Sequence, residues 1–399
     1  MALSAKSTSR VAAIDALRGF VMIIMALDHT RDFFHYSAMH FSPTDLTQTT
    51  PVLFFTRWIT HLCLPVFMFA AGMGAFLFGQ RNRTKAQLSR FLFIRGIWFI
   101  FLELVVMQFS YDFTFSSQLI FLLLILWIFG VCMIALSVFV HIPVKLLAVL
   151  SIGAIVLHNL LDEIKASSFG AGAWAWKLIH EPGIFTVAGR PVLTIYPILP
   201  WVAVMSAGYC FGRIFLLERP ARRRIMVQLG LGMTCAFVVL REINRYGDPF
   251  PWTHQKSAIF TVLSFLNCTK YPGSLDYLLM TLGPAILLLA TFDGLDFKDT
   301  NPLIVFGRVP LFYFVLHFYL IHTFEVVAGF LRYGSSAAHF IFNPPPPLLG
   351  PRALFPPDFG YSLLVTYGVW LLVVIVLYPV CRWFATIKAT HREWWLSYL

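Results

Sequence analysis

Of 399 residues, 58% are hydrophobic and 12% are charged, and the mean hydropathy is +0.75. Soluble domains carry charge on about a quarter of their residues, so this composition excludes them and indicates an integral membrane protein. The 30 Lys+Arg and 19 Asp+Glu leave a net charge of +11, but the basic residues sit in short loops beside apolar runs, which marks membrane orientation and not a nucleic-acid footprint.

The first stretch, MALSAKSTSR, leads into an apolar run too long and too charged for a cleaved signal, so an uncleaved first span is expected over roughly 11–33. Further apolar runs at roughly 52–79, 88–109, 117–139, 142–160, 196–217, 223–241, 272–292, 302–331 and 361–386 bring the total to ten candidate transmembrane helices. The class is all-α and polytopic, read as one domain over 1–399. In a ten-span count Lys6, Arg10, RNRTKAQLSR (81–90), ERPARRR (218–224) and the C-terminal RWFATIKATHREWW fall on one side. By the positive-inside rule that side is the cytoplasm, which places both termini there and the chain in the cell inner membrane. The long connections near 160–195, 242–271 and 332–360, the last of them Pro-rich, fall on the other side, where an extracytoplasmic partner would be met. Five of the six cysteines lie in predicted spans, and Cys268 alone lies in a polar loop open to an impermeant thiol reagent. No disulfide framework or metal site is expected.

The first span raises the chemical question. IDALRGFVMIIMALDH carries Asp15 and Arg18 near one end and Asp28 and His29 near the other, and each intramembrane charge costs on the order of 3 kcal/mol unless it has a partner, an aqueous edge or a function. Arg18 and His29 are separated by about 1100° of helix, close to full register, and by a rise of about 16 Å. They share a face on which a phosphate-bearing ligand held by Arg18 would extend its reactive end to His29. The residues alone leave a plainer account open, in which Arg18 snorkels to the headgroups and His29 meets water at the far rim.

This span resembles the first span of the transmembrane acyltransferase superfamily. The nearer resemblance is to the heparan-alpha-glucosaminide N-acetyltransferase-like family and its bacterial members. It extends through HLCLPVFMFAAGM (61–73), YPILPWVAVMSAGYCFGRIF (196–215), KYPGSLDYLLMTLGPAILLLA (270–290) and FGRVPLFYFVLHFYLIH (306–322). The resemblance implies an acetyl-CoA-dependent acyltransferase that moves an acetyl group from the cytosol to an extracytoplasmic sugar or glycan. It points to two histidines. His40 matches the catalytic histidine of the heparan branch, and His29 matches that of the polysaccharide-acylating branch, although the heparan branch has asparagine where His29 stands. Arg90 and Arg95 resemble residues placed around the acyl-CoA phosphates.

The chemistry requires a histidine in either case, because attack of a sugar hydroxyl or amine on a thioester requires a proton acceptor near neutral pH; an acyl-imidazole is the other use of the same group. Asp28 or Asp32 would orient that imidazole. Arg308 is expected at the cofactor end with Arg18, His317 and His61 at the cavity wall, and His322 packed and hydrogen-bonded. The expected partners are the bilayer and the glycan acceptor, with a homodimer allowed and no nucleic acid. A multi-span transporter using the same charges as a solute or proton path is the rival reading. It is disfavoured by the absence of an evident repeat and by charges gathered at the two edges of the first span. No HExxH, P-loop or GxSxG motif supports another enzyme class.

Overall fold

The computed structural model describes residues 11–114, 120–342, 355–391 and 393–398. Lys6, Arg10 and residues 343–354 of the Pro-rich connection lie outside them. The chain begins with α1 (Ala12–Phe34) and the short α2 (Tyr36–His40). The second predicted span is two helices, α3 (Pro51–Ile59) and α4 (Cys63–Gly79), joined by a 3-10 turn at Thr60–Leu62. Pro65 accounts for the break, since its ring displaces the carbonyl four residues back and it has no N–H to donate. The carbonyl so released, that of His61, accepts a hydrogen bond from the Tyr277 hydroxyl at 2.8 Å.

The helix α5 (Lys85–Phe101) starts on a capping box of Thr84 and Gln87 and runs through a π-helical turn, Leu102–Met107, into α6 (Gln108–Asp112). Then follow β1 (Phe121–Leu123), α7 (Ile125–Phe139), α8 (Val144–Leu157), α9 (Ala173–Ile179), β2 (Gly183–Val187), β3 (Arg190–Thr194) and α10 (Ile198–Phe211). The remaining elements are α11 (Arg219–Ile243), α12 (Ala258–Leu266), α13 (Leu275–Asp293), α14 (Pro302–Arg308), α15 (Pro310–Tyr333), α16 (Ala337–Ile341) and α17 (Leu363–Thr390).

Among the described residues, eight helical segments are long and apolar enough to cross a membrane. The other two predicted spans are also helical: α1 has the length but carries more charge, and α7 has only 15 residues. The all-α polytopic class holds, with two corrections. The connection at 160–195 is not irregular, because β2 and β3 pair antiparallel and β3 pairs parallel with β1, giving the order β1-β3-β2. In the fourth predicted span, residues 120–124 are not helical and the helix begins at Ile125. The reason lies in two polar residues of the preceding span. The Gln108 side chain accepts from the Leu122 N–H at 3.1 Å and donates to the Ile120 carbonyl at 3.2 Å, so it acts as a substitute strand for this extended segment. Glu103 accepts from the N–H groups of Leu126 and Trp127 at 2.6 and 3.2 Å and caps α7. A helix start inside a membrane protein is tolerated only when its open donors are satisfied in this way.

The charges of α1 are explained by its position. It packs against α4, α13, α14, α15 and α17, so its polar residues meet other helices or the cavities between them. The approach to α14 is so close that a Cβ on Gly19 would stand 1.8 Å from the Leu303 carbonyl oxygen, and one on Gly307 the same distance from that of Asp15. Only glycine permits this crossing. In the last turn of α11, the buried guanidinium of Arg241 donates to the carbonyls of Phe250, Phe265 and Asn267 at 3.0, 2.9 and 3.1 Å, which fixes the 242–271 connection onto the bundle.

Candidate active site

Two cavities are stacked along α1. The larger, of about 390 Å³, is lined by five basic side chains, Arg18, Arg81, Arg95, Arg308 and Lys388, with an apolar interior that includes Met22, Phe99 and Phe314. The smaller, of about 50 Å³, is lined by Asp28, His29, Asp32, Arg57, Lys270 and Tyr271 among others. Arg18 and His29 thus lie on one face of α1, as their spacing predicts, each opening into a different chamber.

In the basic chamber, Arg18 donates to the Ala70 carbonyl at 2.6 Å and lies 3.8 Å from Asp15. Gly74 makes room for it, since a Cβ there would stand 2.6 Å from the Arg18 Nη2. The Arg95 guanidinium carbon lies 5.3 Å from the centroid of the Phe99 ring and 5.8 Å from that of Phe91, within cation–π range. Arg308 is ion-paired with Asp299. Arg90 is exposed and lines neither chamber, so the structure separates it from the cofactor-end cluster in which its likeness to phosphate-binding residues had put it. Arg81 and Lys388, which positive-inside counting treats only as orientation signals, do line it.

His29, on the wall of the smaller chamber, has its Nδ1 2.6 Å from Nε2 of His317, which lines neither chamber where a wall position was expected and is instead fully buried behind His29; His317 Nδ1 lies 3.1 Å from the Tyr313 carbonyl. A carbonyl only accepts, so His317 carries its proton on Nδ1 and presents a lone pair at Nε2. His29 must then donate from Nδ1, which leaves its own Nε2 as a basic lone pair. This is the arrangement a general base needs: a free acceptor, with the other ring nitrogen fixed by a partner. The ring of Phe318 lies over His29 at 4.2 Å and holds it in place.

The orientation expected from Asp28 or Asp32 is therefore corrected. Asp28 is held by Arg57, and by Arg31 at 3.0 Å, while Asp32 pairs with Arg31 at 2.5 Å. These carboxylates balance cations, and His317 orients the imidazole. Arg57 also reaches the Tyr271 hydroxyl at 3.4 Å, and Tyr196 lies 3.4 Å from the same oxygen, both at the long end of the hydrogen-bond range. Sequence reasoning gave Arg57 no part, although a charge in the apolar run 52–79 was the available signal. Lys270 and Tyr271 fell inside a quoted motif, with nothing in their spacing to single them out.

The remaining histidines stand apart. His40, in α2, stacks on Tyr36 at 3.9 Å and lines neither chamber. His61 sits at the break in the second span, but its ring faces Tyr277 at 5.5 Å instead of lining the small chamber, whose wall there is Thr60 and Cys63. His322 is packed and bonded to the Ser110 carbonyl at 2.8 Å, as expected.

Residues 10–240 match the family model of the catalytic region of heparan-alpha-glucosaminide N-acetyltransferase, more than half of the chain. The chain belongs to that family. Its members are acetyltransferases, and the matched segment includes α1, Arg57, Arg95 and Tyr196, while Lys270, Arg308 and His317 come from beyond it. No curated protein matches the chain at a significant level.

Proposed function

We propose that this heparan-alpha-glucosaminide N-acetyltransferase family member transfers the acetyl group of acetyl-CoA, entering from the cytoplasm, to a sugar acceptor on the opposite side of the inner membrane. The observation that carries the reading is the placement of Arg18 and of a tautomer-fixed His29 on one helix face, in adjoining chambers of contrasting chemistry. Five cations against the single carboxylate of Asp15 leave the lining net positive, which suits the phosphates of CoA, whose charge-assisted contacts are the strong ones. The apolar interior of the same cavity suits an extended pantetheine arm, which would bring the thioester toward His29. His29 Nε2 removes the proton from the acceptor O–H or N–H as that atom bonds to the thioester carbonyl carbon. The C–S bond then breaks, and the sulfur leaves as a thiol after taking the proton from the imidazolium. Atoms and charge balance with no other reactant.

The test is His29→Ala in the purified full chain, supplied with radiolabelled acetyl-CoA and glucosamine, which offers both an amine and hydroxyls. Transfer is expected to fall by about 10²- to 10⁴-fold, the range for loss of a general base, with acetyl-CoA affinity retained. Near-normal transfer in His29→Ala, with its loss in His40→Ala, would move the base to His40.

A further inference from the structure

Phe67 on α4 and Ile125 at the start of α7 line both cavities, so they stand where the basic chamber meets the histidine chamber. The surrounding helices support the same placement. Met22 lines the basic chamber and Met25 the other, and Phe314 and Phe318 divide in the same way, one helical turn apart. We infer that Phe67 and Ile125 set the length of the acyl chain this protein transfers. The inference rests on the acetyl-transfer reading above.

If the phosphates are held among the cations and the carbonyl carbon must come within reach of an acceptor activated by His29, the thioester stands in the passage these two side chains flank. Beyond it lies a chamber of about 50 Å³ that must also admit the attacking atom of the acceptor. That chamber is small beside the basic one, so each methylene added to the acyl group competes with the acceptor for the same space. The wall is also fixed. Ile125 is the first residue of α7, and the next two N–H groups are both held by the Glu103 carboxylate, so Ile125 cannot retreat without uncapping the helix. In an apolar pocket one methylene is worth about 10- to 200-fold in discrimination, enough for two side chains to separate acetyl from butyryl donors.

The experiment compares acetyl-CoA and butyryl-CoA as donors to glucosamine, using the full chain in nanodiscs and the variants Phe67→Ala and Ile125→Ala. The readout is the ratio of kcat/KM for the two donors, which a merely structural role would not shift. The butyryl-to-acetyl ratio is expected to rise at least 10-fold in either variant, the lower bound for a methylene-sized change. If an alanine variant does not fold, Phe67→Leu and Ile125→Val replace it, and a smaller rise in the same direction is expected. An unchanged ratio in folded variants that still transfer acetyl overturns the inference and leaves the acetyl-transfer reading standing. Failure of the parent protein to transfer from either donor removes that reading and the inference with it.

Discussion

The charges within α1 divide into those balanced by other charges and those opening into a cavity. Asp28, Arg31, Asp32 and Arg57 neutralise one another within a network of short ion pairs. His29 stands next to this network yet takes its orientation from His317, a neutral partner on another helix. A neutral partner fixes the tautomer without adding a buried charge that would need its own compensation. This gives a prediction specific to His317. In His317→Leu the His29 Nδ1 proton loses its acceptor, so no hydrogen bond fixes the tautomer or the angle of the ring. The expected result is a fall in kcat of about 10²-fold, the scale of loss for a misplaced reacting group, with acetyl-CoA affinity unchanged. His317→Gln offers a side-chain carbonyl as acceptor and should recover part of the rate. Equal rates for the Leu and Gln variants, both near the parent, would show that His317 only packs.

At the scale of elements, an irregular part of the bundle borders the junction of the two chambers. The helix α7 is 15 residues long, about 22 Å at 1.5 Å per residue, and cannot span about 30 Å of hydrocarbon alone. Its start lies beside the junction of the two chambers, and the cost of beginning there falls on Glu103, a carboxylate 1% exposed in the π-helical turn after α5. Replacing Glu103 with leucine leaves two buried N–H donors without an acceptor, at about 1–3 kcal/mol each. Thermal unfolding in detergent should therefore shift down markedly for Glu103→Leu. Glu103→Gln, which keeps a carbonyl oxygen in the same place, should melt close to the parent. If the leucine variant melts with the parent, the cap does not stabilise the helix start.

For the whole molecule, much of the architecture was legible because bilayer thickness dictates segment length, and all ten apolar runs contain a helix. The spacing of Arg18 and His29 was legible for the same reason, since a helix converts sequence separation directly into angle and rise. What escaped was set by contacts between distant segments. Arg57 meets Asp28 across 29 residues and His29 meets His317 across 288, separations that no local pattern encodes. Glu103 and Gln108 carry no legible role in the apolar run 88–109, because their partners lie in a segment that itself reads as apolar helix. The polar context of Cys268 suggested an accessible thiol, but it is only 4% exposed and burial pushes the thiol well up from its ordinary range, so it is a poor target for a thiolate-selective reagent. The direction of transfer therefore needs introduced reporters. Ser168, between α8 and α9, and Thr84, between α4 and α5, are both exposed and fall in connections expected on opposite sides of the bilayer. In a Cys235→Ala background, which removes the exposed native thiol, Ser168→Cys should be labelled by an impermeant maleimide added to intact spheroplasts. Thr84→Cys should be labelled only after permeabilisation. The basic chamber includes Arg81, three residues from Thr84 in the same connection, so this pair reports which side a phosphate-bearing donor enters from. The reverse labelling pattern would put the cationic chamber outside the cell, away from cytosolic acetyl-CoA, and would overturn the proposed direction of transfer.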